Sequence, residues 1–325
     1  MYYDRTLSNS FSKLIEQGGN LRWLFDFVKK QENLDFLIGK SKGKEWISIY
    51  MGLTRILSIH PTKDSSIIKV EASKTYKTFP VKLYDIKPSV ANFEKDIDKV
   101  IDIISKDKKF DRYYNNMKEG YFQNILSRRF GINGKSTDDF VIIDKEAVIG
   151  YTNKAEKNLS FGKIHQKYKK MQKEISTLNS KRYGKNLQKK AIGNELDFLA
   201  LDKEGNILLI EYKHGTNTSG IYLSPLQIGL YYDIFTNFPK IDLEKSIFSM
   251  FSQKQRIGLV NSSWKQPEKI KDIIPVLIVS EYNYRGSAKE KFDEILNFSR
   301  KTMGSCFLEN LRTHNFTEKS GLSHL

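Results

Sequence analysis

An α/β fold in two modules is what this sequence predicts, and three observations predict it. β-Branched and apolar runs alternate with amphipathic stretches along the 325 residues. Before residue 90 these runs are short and divided by Gly, Lys and Pro turn signals, as in a small α+β module. From residue 111 the order becomes helix, strand, basic segment, strand, strand, helix, strand, helix, an α/β core with a hairpin at its centre. A chain of this length that is 39% hydrophobic and 12% aromatic can build ordinary cores in both.

In the first module, residues 1–90, NLRWLFDFVKK reads as a helix. DFLIG, EWISIYM, TRILSIH and SIIKVEA read as strands, with the YMG of SIYMGLTRI as a hairpin turn. ANFEKDIDKVIDIISK then aligns Phe93, Ile97, Val100 and Ile104 on one face and is taken as a connecting helix over 91–110. The second module, 111–325, opens on DRYYNNMKEGYFQNILSRRFG, a helix closed by Arg128, Arg129 and Gly131. On it Glu119 shares a face with Phe122, Leu126 and Phe130, an anomaly for a carboxylate. DFVIIDKEAVIGY follows as a strand or hairpin, and residues 151–192 form a basic helical insertion between the first two strands of the sheet. ELDFLALD and NILLIEYK are strands joined by a KEG turn. SPLQIGLYYDIF is a helix, with Ser224 as N-cap, Pro225 at its first position and Gln227 at its third as a capping box. IIPVLIV is a short apolar strand, and the tail after Phe316 reads as loosely ordered.

The net charge of +16 is unevenly spread. Between Tyr151 and Gly193 stand twelve Lys or Arg against Glu156 and Glu174, an excess of ten in about an eighth of the chain. Lys163, Lys167, Lys169, Lys170, Lys173, Lys181, Arg182, Lys185, Lys189 and Lys190 are the candidate phosphate contacts within it. Such concentration suits a polyanion, because each neutralised phosphate releases counterions and long-range attraction steers encounter. A solvated helix face in a lysine-rich protein is the plainer reading. Membrane binding fits poorly, since GKIHQKYKKMQKEISTL has only a thin apolar stripe of Ile164, Tyr168, Met171, Ile175 and Leu178. No apolar run reaches membrane-spanning length and the N-terminus lacks a signal pattern, so the expected location is the cytoplasm. One cysteine excludes an intramolecular disulfide framework, and the five scattered histidines lack ligand spacing, so any metal should be oxygen-ligated.

The chemistry concentrates in GNELDFLALDKEGNILLIEYKHG. Strand side chains alternate, so Glu211 and Lys213 share a face with Tyr212 opposite. Pairing Asp197 with Glu211 centres the register on residue 204, inside the turn. Sheets that need only fold fill such positions with Val, Ile or Leu, because an unpaired buried charge costs several kcal/mol. Two converging carboxylates call for a cation, and all-oxygen ligation favours Mg²⁺ or Mn²⁺. A cross-strand salt bridge on a half-exposed sheet is the structural alternative.

Asp197, thirteen intervening residues and then Glu211-Tyr212-Lys213 resembles the PD-(D/E)XK nuclease superfamily, although Leu196 stands where the eponymous pattern has Pro. Gln227 and Tyr231 on the next helix are similar to the Gln-x-x-x-Tyr motif of its RecB-like branch. GNELDFLALDKEGNILLIEYK is similar to archaeal and bacterial endonucleases acting on branched or mismatched DNA. The resemblance implies a restriction-endonuclease-like core of helix, three strands, helix and strand. It also implies Mg²⁺-dependent DNA cleavage, with Mn²⁺ as a substitute, in restriction, antiphage defence or repair. Asp197 and Glu211 would ligate the metal, Lys213 would assist the nucleophile, and Gln227 and Tyr231 would line the site, with Glu119 as a third acidic ligand. Gln227 as a cap, Tyr231 as a packing residue and Glu119 as a surface carboxylate are the alternatives. RNA stands beside DNA as a substrate, and a homodimer or a partner ATPase are the assemblies left open. The rival function is a catalytically idle nucleic-acid-binding subunit of a larger assembly.

Overall fold

The computed structural model of the protein describes residues 1–72, 87–91, 93–94, 118–183, 192–193, 195–282, 288–303 and 310–325, with backbone alone at 178–183, 288 and 302–303. It is a mixed α/β structure with two sheets, one of four strands and one of six. Two compact units emerge: residues 4–143 with 246–266, and residues 1–3 with 144–245 and 267–325. The expected division at 90 and 110 differs from this. The helix after residue 117 belongs with the N-terminal sheet, and a late segment returns Ile257 and Leu259 to the same core. The connecting helix assigned to 91–110 and the start of the helix from Asp111 fall almost wholly outside the described residues.

In the first unit, helices α1 (Asn9–Lys13) and α2 (Arg22–Lys30) precede β1 (Asp35–Ser41), β2 (Lys44–Met51), β3 (Thr54–Pro61) and β4 (Ile68–Ala72). The strands form an antiparallel meander in chain order, as the alternating apolar runs predict. Gly52, at φ +59°, makes the β2–β3 turn, where only a residue without Cβ adopts that angle freely. A Cβ there would also meet the Gly120 carbonyl carbon at 3.1 Å, so two glycines let this turn and α3 (Lys118–Arg129) touch. Arg128 of α3 is buried and donates to the carbonyls of Val28 at 3.2 Å, Lys29 at 2.9 Å and Leu34 at 2.5 Å. Expected as a cap for its own helix, it closes the end of α2 and the turn into β1, joining the Gln31 N–H on the Val28 carbonyl.

The six-stranded sheet has the order β10-β9-β8-β7-β6-β5. Its strands are β5 (Phe140–Ala147), β6 (Leu196–Asp202), β7 (Ile207–His214), β8 (Ile273–Ser280), β9 (Arg312–Thr317) and β10 (Gly321–His324). β6 and β7 are antiparallel, β7, β8 and β9 are parallel, and β10 returns antiparallel along β9. Between β5 and β6 come α4 (Lys154–Lys157), a π-helical turn (Asn158–Gly162) and α5 (Lys163–Tyr183). α6 (Thr218–Thr236) and α7 (Lys240–Ile257) link β7 to β8, and α8 (Ala288–Met303) links β8 to β9. The expected element order is observed, with β9, β10 and α7 added; in α7, Leu243, Ile247, Met250 and Phe251 recur at helical spacing and are buried.

Two further expectations are corrected. The tail after Phe316 is ordered, because β10 pairs with β9 from Gly321 opposite Thr317 to His324 opposite His314. Its tight return uses Gly321 at φ +72°. Helix α6 begins at Thr218 rather than at Ser224, with Asn217 as N-cap accepting from the Gly220 N–H at 3.0 Å. Pro225 therefore sits inside the helix, where it leaves the Ile221 carbonyl without its donor. The Ser224 hydroxyl supplies the missing bond, donating to that carbonyl at 2.7 Å.

Candidate active site

Every residue of β7 is buried, and Phe198 to Leu201 of β6 are sealed with it. Fully burying a Leu, Ile or Phe side chain contributes about 1.5–3 kcal/mol. Eight such side chains in the hairpin therefore outweigh the cost of the compensated Glu211–Lys213 pair among them. The turn is closed by Asp202, whose carboxylate accepts from the N–H groups of Glu204 at 3.0 Å and Asn206 at 2.8 Å. The ladder runs from Leu201 opposite Ile207 to Phe198 opposite Ile210. Continued one step, this register sets Asp197 across from Glu211, as the sequence predicts.

Asp197 is partly exposed, and its Oδ2 accepts the Tyr212 backbone N–H at 2.8 Å. Glu211 has no exposed surface, and its carboxylate receives a hydrogen bond from the Lys213 ammonium. Lys213 also donates to the Tyr212 carbonyl at 2.8 Å and lies 3.6 Å from Asp197 Oδ2. One ammonium thus gathers three oxygens and offsets both carboxylates in a site largely withdrawn from water.

Gln227 and Tyr231 stand one turn apart on α6, the Gln227 amide donating to the Tyr231 hydroxyl at 3.4 Å. Tyr231 in turn donates to the Glu195 carbonyl and so fixes the entry to β6. Burial, and then the Glu211 carboxylate, push its phenol far above the ordinary range. A neutral phenol fixed in this way positions the chain. A Cβ on Gly193 would lie 2.8 Å from Gln227 Nε2, so a larger residue here would turn that amide aside.

Beside Lys213 is a cleft of about 100 Å³ lined also by Gln172, Asn217, Gly220, Leu226 and Gln227. The sequence reading did not single out Gln172, Asn217 or Gly220 for the site. Asn217 was detectable as a helix-capping residue in the polar run GTNTSG, whereas Gly220 and Gln172 reach the cleft only through packing of separate elements.

Gln172 brings the basic insertion to the site. Tyr168, Met171 and Ile175 of α5 are buried, and α5 packs on α6, so the stripe read from the sequence faces protein. The Tyr168 hydroxyl donates to Asp233 at 3.0 Å, and Lys167 pairs with the same carboxylate at 2.9 Å. Lys163, Lys167, Lys169, Lys170 and Lys173 are exposed on the rest of the helix. The side chains of Lys181 and Arg182, and all of Lys185, Lys189 and Lys190, lie outside the described residues. Glu119 is in the first turn of α3, in the other compact unit from the hairpin. Among the described residues, no three His, Cys, Asp or Glu side chains form a group that could hold a metal ion. Also among them, no helix is long and apolar enough to cross a membrane. No family model matches this chain, and neither a curated protein nor a solved structure matches it.

Proposed function

We propose that this protein is a Mg²⁺-dependent DNA endonuclease of the PD-(D/E)XK type, acting in restriction, antiphage defence or DNA repair. One observation carries the reading: Asp197, Glu211 and Lys213 converge on a single point of an otherwise apolar hairpin, beside a cleft walled by a lysine-rich helix. The order helix, strand, insertion, strand, strand, helix, strand supports it. The oxygens of Glu211, Tyr212 and Asp197 around the ammonium are the donor type a hard divalent cation takes, so Asp197 and Glu211 would hold Mg²⁺ or Mn²⁺. Such an ion supplies a water of lowered pKa and offsets phosphate charge. Lys213, at the cleft wall, would place its positive charge beside the attacking water and the phosphate oxygens. The Tyr212 N–H keeps Asp197 in register, Gln227 lines the cleft that would take the scissile strand, and Tyr231 anchors the start of β6. Glu119 has no assigned part in this chemistry.

A second reading, an idle nucleic-acid-binding subunit, draws on the Lys213 ammonium, which already neutralises the carboxylate pair. Purified protein incubated with supercoiled, linear and single-stranded DNA in Mg²⁺, Mn²⁺ or EDTA separates the two. Metal-dependent cleavage should fall roughly 100-fold or more in both Asp197→Ala and Lys213→Ala. Undiminished cleavage by Asp197→Ala would place the active site elsewhere. DNA binding without cleavage in any metal would favour the second reading or an enzyme that needs an activating partner.

A further inference from the structure

The insertion carries rings as well as charge. Phe161 stacks on His165, with centroids 5.0 Å apart and 19° between the planes, and Tyr151 lies 6.4 Å from Phe161. All three are only partly buried, and Lys157 Nζ stands 5.5 Å from the Phe161 centroid. Burial first, then Lys169 and Lys157, lower the His165 pKa, so its ring is neutral at physiological pH and offers a flat, uncharged face. A cluster that served only to fold would be covered by its neighbours. Instead Leu159, in the same π-helical turn as Phe161, is 65% exposed and Val148 is 40% exposed. Of the four large apolar side chains this exposed among the described residues, these two bracket Tyr151 in the sequence.

The direction of the surface matters as much as its composition. His165, Lys169 and Gln172 follow one another at spacings of four and three along α5, hence on one flank. Gln172 lines the cleft with Lys213. His165 is therefore about 10 Å up the helix from the cleft wall, along a strip that alternates ring, cation and amide. Exposed lysines would suit any polyanion. Exposed ring faces ask for unstacked bases, which a duplex keeps against one another and a single strand offers along with its phosphates.

From this arrangement we infer that Tyr151, Phe161 and His165 form a base-stacking platform for single-stranded DNA, which leads the strand along α5 into the cleft at Lys213. Its use in cleavage rests on the nuclease reading above, to which it adds a strand preference.

Fluorescence anisotropy of the full chain in EDTA tests it, using a labelled oligothymidine of about 20 nucleotides, longer than a typical single-strand site, against a duplex of equal length. Phe161→Leu keeps apolar bulk without a π face, and Phe161→Ala removes both. Single-strand affinity should weaken about 10-fold in each while duplex affinity stays within about twofold. Unchanged single-strand affinity, or equal losses on both ligands, would overturn the platform. A second comparison needs no variant: an abasic oligonucleotide of the same length should bind the unaltered protein about 10-fold more weakly than oligothymidine, and equal affinity would also refute stacking. Ring-dependent binding by a protein that never cleaves in Mg²⁺ or Mn²⁺ would sink the nuclease reading and leave the platform. Cleavage with no dependence on rings or bases would do the reverse.

Discussion

Glu211 is buried in the sheet with the Lys213 ammonium reaching back to its carboxylate, so each residue is a liability without the other. Glu211→Ala should cost about 3–5 kcal/mol in urea denaturation, since it leaves an ammonium buried beside one partly exposed carboxylate. Glu211→Leu combined with Lys213→Met should recover to within about 1 kcal/mol of the unaltered protein, with cleavage abolished. A double variant no more stable than Glu211→Ala would mean that the pair is not the compensating unit. Gly220 poses the opposite case, a residue whose importance lies in what it lacks. A Cβ there would fall 2.7 Å from Lys213 Cδ and 2.5 Å from Asn217 Nδ2. Alanine normally favours a helix over glycine by about 1 kcal/mol, which offsets only part of the cost of pushing the Asn217 cap and Lys213 aside, so Gly220→Ala should fold but melt below the unaltered protein. By displacing Lys213 it should also slow cleavage roughly 10- to 100-fold, and an unchanged rate would remove Gly220 from the site. Asp197, Glu211 and Lys213 were legible in the sequence because charge in an apolar, alternating run is conspicuous. Gly220 and Gln172 were not, because nothing in their own neighbourhoods reports which element they will face.

At the scale of elements, the β6–β7 hairpin could be read to the residue, since a period of two and a four-residue turn leave one register that buries both apolar faces. Helix α6 could not. Ser-Pro within an apolar run carries the signature of a helix start, yet the polar turn GTNTSG supplies an earlier cap at Asn217, and the buried Ser224 hydroxyl repairs the bond that Pro225 breaks. Local signals rank candidate starts, and packing of Ile221, Tyr222 and Leu223 decides between them. This account makes Ser224 an internal structural residue. Ser224→Ala should strand the Ile221 carbonyl and cost about 1–3 kcal/mol in chemical denaturation without altering the cleavage rate of the folded fraction. A loss below about 0.5 kcal/mol, the range of neutral surface changes, would show that the hydroxyl does not carry that bond. The β9–β10 hairpin was missed for a related reason: its second strand has only four residues, too few to show a period.

Across the whole molecule the charge of +16 acts through its placement, with an excess of ten between residues 151 and 193. The lysines of α5 are not equivalent. Lys167 is committed to Asp233, whereas Lys169, Lys170 and Lys173 project from the exposed face of a helix anchored by Tyr168, Met171 and Ile175. Each lysine that neutralises a phosphate adds about 0.9 to the slope of log affinity against log salt concentration on duplex DNA. Reversing Lys169, Lys170 and Lys173 to Glu should therefore weaken binding to every sequence alike and flatten that slope by about 2–3. Lys167→Gln, which removes a charge already matched within the protein, should change the slope by well under about 0.9. Equal slopes for the unaltered protein and the triple variant, measured by anisotropy from about 50 to 200 mM salt, would refute the insertion as the phosphate clamp. A flattened slope for Lys167→Gln alone would instead show that DNA takes Lys167 from Asp233 on binding, and with it part of the contact that holds α5 against α6.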